Sequence, residues 1–112
     1  MFDRQEFSDL TSIIENELTH AIEDHGLFRS RHEAWAVLRE EVLEARAEMF
    51  ETDVSLSKLD EMVRHDEPTD YAELKSLYRH ARFLAMEAVQ VAAMALKWTR
   101  GIEDEKHTSG SE

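Results

Sequence analysis

Residues 30–50, SRHEAWAVLREEVLEARAEMF, contain the pattern that decides the fold. Ser30 precedes Glu33 by three positions, the reciprocal capping arrangement in which two side chains satisfy free backbone donors at the start of a helix. Apolar residues then recur every three or four positions, as they do on a helix that packs within a bundle. They are Trp35, Leu38, Val42, Ala45 and Met49. The segment is predicted to be an amphipathic helix that ends near Phe50.

The chain before and after this segment also favours helices. A first helix is predicted over residues 3–25, because its apolar residues keep helical spacing and Gly26 follows with the freedom to adopt a left-handed conformation. A short helix is predicted from Ser57 to about His65, and Pro68 then disfavours helical conformation in the residue before it.

The last helix is predicted to begin at Thr69 or Asp70 and to stop at Gly101. The polar segment 103–112 is expected to be a disordered tail, so that residues 1–102 form a single domain. With three glycines and one proline in 112 residues, the chain has few places to break a helix. The predicted fold is an all-α bundle of three long helices and one short helix.

Charge and composition exclude several classes of partner. The formal net charge is −12, from 25 acidic and 13 basic residues, so the chain is expected to repel nucleic acid and anionic lipid. It has no cysteine, which excludes disulfides and thiolate metal sites and fits a cytoplasmic protein. No apolar run approaches the length of a membrane span. We therefore expect neither a nucleic-acid nor a membrane partner.

The acidic residues of the 30–50 segment are not spread evenly around the helix. With Leu38 at the centre of the apolar stripe, Glu41, Glu48 and Glu44 fall about 60°, 80° and 120° to one side. Glu40 points about 160° away and is predicted to face solvent. Three carboxylates therefore border the buried face, although an E-E-x-x-E string on a charged helix is also common where the face is simply solvated.

A second pair of polar residues stands in the apolar stretch 83–96, FLAMEAVQVAAMAL. Glu87 and Gln90 are its two polar residues, and with Leu84 at the centre they fall about 60° and 120° to one side. A carboxylate in such surroundings is costly unless it is paired or bound to a cation. Two helices that each present such a pair predict an oxygen-lined site for Mg²⁺ or Mn²⁺. The alternative is a buried ion pair between Glu87 and an arginine of another helix.

The strings HEAWAVLREEVLEARAEM (residues 32–49) and EAVQVAAMALKW (residues 87–98) together resemble the MazG-like branch of the all-α nucleoside triphosphate pyrophosphohydrolases. That family carries E-E-x-x-E on one helix and E-x-x-D on a later one, and the resemblance covers residues 26–102. Here Glu40, Glu41 and Glu44 stand at the first motif and Glu87 begins the second. Gln90 replaces the family's Asp, and residues 51–69 are an insertion.

The resemblance implies a Mg²⁺-dependent enzyme that cleaves a nucleoside triphosphate to the monophosphate and pyrophosphate. The implied metal ligands are Glu41, Glu44, Glu87 and Gln90. Glu41, Glu44 and Glu48 are the candidate catalytic residues, with Glu48 orienting water. His32 and Trp35 are candidate substrate contacts, although a capping role for His32 and a core or interface role for Trp35 are the simpler interpretations. The alternative function is a catalytically degenerate MazG-like bundle that binds a nucleotide or a protein.

The last helix also carries apolar residues opposite its central stripe. This second face consists of Met86, Val89, Ala93 and Leu96. A helix that is apolar on two sides must be buried on both, and a chain of 112 residues has too few helices to cover them. A homodimer or higher oligomer that associates through the last helix is therefore predicted, and the family resemblance implies dimers as well.

Overall fold

A computed structural model describes the backbone of residues 1–110 and the side chains of residues 1–106. The chain forms three α-helices, α1 (Arg4–His25), α2 (Arg31–Arg64) and α3 (Tyr71–Gly110). Helices account for 87% of the residues whose backbone is described, and this part of the chain contains no strand. The predicted all-α class is confirmed. None of these helices, over the residues described, is long and apolar enough to cross a bilayer.

Helix α1 has the ends that the sequence predicts. The Asp3 side chain accepts a hydrogen bond from the Glu6 N–H at 2.8 Å, and the Glu6 carboxylate accepts one from the Asp3 N–H at 3.4 Å. These two bonds form a complete capping box. At the other end Gly26 has a positive φ of 71°, which favours glycine, and its N–H donates to the Ile22 carbonyl at 2.7 Å.

Helix α2 begins as predicted but does not end near Phe50. The Ser30 hydroxyl accepts a hydrogen bond from the Glu33 N–H at 3.1 Å, and the helix then runs without a break to Arg64. The separate short helix predicted from Ser57 is wrong, because those residues form the end of α2.

Residues 51–57, which follow the predicted end of the helix, contain neither glycine nor proline, and two of their polar side chains find partners. The Thr52 hydroxyl donates to the Glu48 carbonyl of its own helix at 2.8 Å. Ser55 is buried and its hydroxyl donates to the Ser76 hydroxyl of α3 at 3.3 Å. Because these groups are satisfied in a helical conformation, the helix continues through them.

The turn between α2 and α3 ends the helix with the hydrogen bonds of a Schellman motif. Asp66 adopts a left-handed conformation with a φ of 54°. Its N–H donates to the Val63 carbonyl at 3.2 Å, and the Glu67 N–H donates to the Met62 carbonyl at 2.8 Å. The predicted break before Pro68 is thus confirmed, with an aspartate in the position that glycine more often fills.

Helix α3 begins after Asp70, whose side chain accepts a hydrogen bond from the Ala72 N–H at 2.9 Å. The helix passes through Gly101 to Gly110, so the predicted end at Gly101 is wrong. A glycine inside a helix costs only about 1 kcal/mol, which the flanking helix-forming residues offset. The predicted disordered tail, 103–112, stays a prediction: the backbone of 103–110 continues α3, and 111–112 lie outside the described residues.

The chain divides into two compact units, and the division falls inside α2 and α3. The first unit comprises Met1–Glu41 and Val89–Glu112, and the second comprises Val42–Ala88. The first contains a buried apolar cluster of Leu18, Ala93 and Met94. The second is a helical hairpin made of the end of α2 and the start of α3. The expectation of a single domain stays a prediction.

The apolar face predicted for dimerisation is not one surface. Ala93 is fully buried in the first unit, where it packs in the same cluster as Leu18. Met86 and Leu96, by contrast, are 59% and 37% exposed. The placement of Ala93 in a contact between chains is therefore wrong, because α1 already covers it within the chain. Association through the exposed residues of α3 stays a prediction.

Candidate functional site

Three of the predicted site residues come close together along α2 and α3. In the second unit, Glu44 of α2 and Glu87 of α3 offer carboxylate oxygens within 4.8 Å of each other. Glu41 is the last residue of the first unit and precedes Glu44 by one helical turn. It offers an oxygen within the same distance of that of Glu44. We call these three residues the acidic cluster; their role as metal ligands stays a prediction.

The burial of these residues follows the helical wheel. Glu41 and Glu87 are half-buried, Glu44 is exposed, and Oε2 of Glu87 is fully buried. Glu40, next to Glu41 in sequence, is exposed, as predicted. Carboxylates at these separations repel one another, and partial burial strengthens the repulsion because the surroundings are less polar than water. A divalent cation bound among them would reverse the sign of this energy.

The donor atoms of the acidic cluster fit Mg²⁺ or Mn²⁺ better than a softer metal. All are carboxylate oxygens, which these hard cations prefer, whereas zinc sites favour histidine and cysteine. Two oxygens bound to one Mg²⁺ at about 2.1 Å lie at most about 4.2 Å apart. The present separations of up to 4.8 Å therefore require only a small side-chain adjustment.

Gln90 follows Glu87 by one turn on α3, and its partner was not predicted. Its side-chain amide donates a hydrogen bond to the carboxylate of Glu17 on α1 at 2.8 Å, within the first unit. Glu17 lies roughly 100° from the buried Leu18 on the helical wheel, so the criterion that selected Glu41 could also have selected it. The role of Gln90 as a metal ligand stays a prediction.

The sequence analysis also missed the residue that contacts Glu48, which is His80. The Glu48 carboxylate lies 2.9 Å from Nδ1 of His80 on α3, within the second unit. Both side chains are largely buried, with 28% and 19% of their surface exposed. Glu48 follows Glu44 by one turn, and His80 precedes Glu87 by two turns, so each partner shares a helix face with one member of the acidic cluster.

The candidate substrate contacts His32 and Trp35 lie in the first turns of α2, and both are exposed. Trp35 is 59% exposed, and the guanidinium of Arg39 lies 5.8 Å from the centre of its ring. Such an arrangement is typical of a surface cation–π pair. Their contact with a substrate stays a prediction, and the groove described next is lined by other residues.

A groove of about 620 Å³ opens in the first unit between α1, the loop before α2, and α3. Glu41, the member of the acidic cluster that belongs to this unit, lies in the wall of this ligand-sized space together with Gln90 and Glu17. Phe28, Arg29 and Lys97 also line the groove. Lys97 is only 5% exposed, and its ammonium lies 4.3 Å from the centre of the Phe28 ring.

Comparison with protein-family models, curated proteins and solved structures finds no match to this chain in any of the three. The function must therefore be argued from the chemistry and geometry of the residues themselves.

Proposed function

We propose that this protein is a Mg²⁺- or Mn²⁺-dependent nucleoside triphosphate pyrophosphohydrolase. The observation that carries the proposal is the acidic cluster, in which carboxylates from two helices approach within 4.8 Å. The resemblance of residues 32–49 and 87–98 to the MazG-like enzymes supports the same reaction. A cytoplasmic location fits this proposal, since nucleoside triphosphates are made and used there.

In the proposed mechanism, Glu44 and Glu87 hold the metal and Glu41 contributes a third carboxylate from the preceding turn of α2. The metal would neutralise the triphosphate and lower the pKa of the attacking water. Gln90, kept in place by its bond to Glu17, offers an amide oxygen where the related family has an acid. A neutral ligand reduces the negative charge of the site and is therefore expected to weaken metal binding.

Glu48 is the proposed acceptor for the proton of the attacking water. Its carboxylate is oriented by the 2.9 Å contact with His80, which leaves one oxygen for water. Water adds to a phosphorus atom, the bond between the α- and β-phosphates breaks, and the products are a nucleoside monophosphate and pyrophosphate. The groove, with Glu41 and Gln90 in its wall, is the proposed site of the nucleotide.

We further propose that the active particle is a homodimer or larger. Met86 and Leu96 of α3 are among the large apolar side chains exposed to solvent. Sedimentation of the purified chain tests this, and a monomer at micromolar concentration would contradict it.

Release of pyrophosphate from a panel of ribo- and deoxyribonucleoside triphosphates tests the activity, with Mg²⁺ or with a chelator. We expect metal-dependent release that Glu44→Gln and Glu87→Gln each reduce by at least about a hundredfold, the loss typical of removing a group that stabilises the transition state. Glu51→Gln is the matched control, because it makes the same charge change at an exposed position of α2. Equal rates with and without metal would contradict the proposal.

The second candidate function is a non-catalytic bundle that binds a nucleotide or a protein. One observation favours it: the amide at position 90 donates to Glu17, which fixes it by a bond that does not involve a metal. Gln90→Asp separates the two functions. If the scaffold is that of an enzyme, the added carboxylate should tighten Mg²⁺ binding and raise the rate. A variant that neither binds Mg²⁺ more tightly nor releases pyrophosphate supports the non-catalytic function.

A further inference from the structure

Lys97 is the one buried side chain of the first unit that carries a full positive charge, among the side chains the structure describes. It lies on α3 with 5% of its surface exposed and lines the groove. Its ammonium lies over the face of the Phe28 ring, 4.3 Å from the ring centre. Within the described side chains, no carboxylate approaches it to ion-pair distance, although several line the same groove.

The Phe28 ring meets the charge of the Lys97 ammonium but not its hydrogen-bonding capacity. A lysine ammonium carries three N–H donors, and an aromatic face attracts its charge without accepting hydrogen bonds as an oxygen does. Removing an ammonium from water is costly unless an anion or oxygen acceptors replace the lost hydration. The groove beside Lys97 is the space from which such a partner can approach.

The other residues of the groove indicate the chemistry of that partner. Two of the four carboxylates that line the groove already accept hydrogen bonds from other groups: Glu17 from the Gln90 amide, and Glu33 from the Arg29 N–H. The other two are those of Asp24 and Glu41. The exposed Arg29 lines the same groove and supplies a second cation. A ligand group that satisfies an ammonium and a guanidinium together is an oxyanion with several oxygens.

The position of Lys97 along α3 also fits a phosphate-bearing ligand. Lys97 follows Gln90 by seven residues, which places it on the same helix face about 10.5 Å further along the axis. Gln90 and Glu41 line the same groove as Lys97 and Arg29, so one extended ligand can reach both Gln90 and Lys97.

We propose that Lys97, assisted by Arg29, is an oxyanion subsite of this groove that binds a phosphate or pyrophosphate group. The identification of the anion as a phosphate rests on the proposed function. The pairing of Lys97 with an oxyanion does not, because it rests on the burial of the side chain and on its contact with Phe28. The subsite can therefore be tested without any hydrolysis.

The test is a nuclear magnetic resonance titration of the full chain carrying ¹³C-labelled lysine. The sequence has four lysines, Lys58, Lys75, Lys97 and Lys106, so the side-chain signals are few enough to assign by substitution. With a chelator present, inorganic pyrophosphate is added, and inorganic phosphate and a nucleoside triphosphate form two parallel arms. We expect the Lys97 signals to move saturably, with pyrophosphate and the triphosphate binding more tightly than phosphate.

Lys75 is the internal control. Its ammonium also lies over an aromatic ring, that of Tyr71 at 4.8 Å, but it is exposed and belongs to the second unit. Its signals should change little. Lys97→Met should weaken pyrophosphate binding at least tenfold, Lys97→Arg should retain most of it, and Lys75→Met should leave it unchanged. The wild-type titration needs no variant, so a folding defect in Lys97→Met cannot decide the result.

Two outcomes overturn the subsite: Lys97 signals that do not move, or four lysine signals that move in parallel without saturation. The proposed function fails separately. Saturable Lys97 shifts without metal-dependent pyrophosphate release would support the subsite and contradict the enzyme proposal. Hydrolysis of a triphosphate while the Lys97 signals stay fixed would support the enzyme proposal and contradict the subsite.

Discussion

The two units of the chain are stabilised in different ways. The four hydrophobic side chains that are buried among those described, Leu18, Ala34, Ala93 and Met94, all belong to the first unit. The second unit, Val42–Ala88, has one buried side chain of either kind in the described chain, the polar Ser55. Its helices are joined by polar contacts, Ser55 with Ser76 and Glu48 with His80.

The first unit therefore contains the buried core, whereas the second contains two of the candidate metal ligands. The first unit contains the apolar burial that opposes the entropy of folding. The second unit holds Glu44 and Glu87, whose carboxylate oxygens lie within 4.8 Å of each other, and it exposes large apolar side chains such as Phe50 and Val63. A unit of this kind gains more from a bound cation or a second chain than the first unit does.

Ala93→Glu is expected to have the largest effect on folding. It places a carboxylate in a fully buried position beside Leu18 and Met94, where neither water nor a cation can reach it. We expect a loss of more than about 4 kcal/mol in the free energy of unfolding, enough to unfold many small domains. Urea denaturation followed by circular dichroism measures it.

Ala95→Glu is the control for this substitution, since Ala95 is exposed two residues further along the same helix. Its effect should stay within about 0.5 kcal/mol. If Ala93→Glu were as stable as Ala95→Glu, the first unit would not have the core described above.

A matched pair of leucines compares the two units directly. Leu18 is 2% exposed in the first unit, and Leu56 is 56% exposed in the second. Leu18→Ala is expected to cost about 2–5 kcal/mol, because it removes buried methyl groups and leaves a cavity. Leu56→Ala should cost less than about 1 kcal/mol in the monomer. Thermal unfolding at low protein concentration measures both, and equal losses would contradict the difference between the units.

Mg²⁺ should stabilise the chain through the second unit. At a free concentration one hundred times the dissociation constant, binding to the folded state adds about 2.7 kcal/mol. Hydrogen exchange should show the added protection mainly at backbone amides of Val42–Ala88. Glu87→Gln should abolish the effect, whereas Glu40→Gln, at an exposed position, should retain it. Protection confined to the first unit would place the ion elsewhere.

The ends of the helices show which parts of the fold could be predicted from sequence. The starts at Asp3 and Ser30 and the break before Pro68 depend on residues within a few positions of one another, so local chemistry determined them. The continuation of α2 past Phe50 could not be predicted in this way. It is supported in part by the Ser55 hydroxyl, whose partner Ser76 is 21 residues away.

The residues of the candidate site also fall into those that local sequence could predict and those that it could not. The wheel positions of Glu41, Glu44 and Glu87 relative to each apolar stripe follow from helical periodicity alone. Glu17 and His80 were missed because their importance depends on which helix packs against which face. Glu17 is 73 residues from Gln90, and His80 is 32 from Glu48. The burial of Ala93 was misjudged for the same reason, since the sequence did not show that α1 covers it.

The smallest predicted effect tests the positioning of Glu48. His80→Gln keeps a side chain that can donate a hydrogen bond but changes its length and direction. Because the pair is 2.9 Å apart and largely shielded from water, we expect a loss of about 1 kcal/mol in the free energy of unfolding, the usual contribution of one hydrogen bond. His65→Gln, at an exposed position after α2, is the matched control and should cost almost nothing.

If the enzyme proposal holds, His80→Gln should also lower kcat more than it changes KM, since Glu48 would still be present but less well oriented towards the water. A fall in Mg²⁺ affinity instead of kcat would mean that the pair supports the metal ligands, and an unchanged rate and stability would mean that the contact with His80 positions nothing.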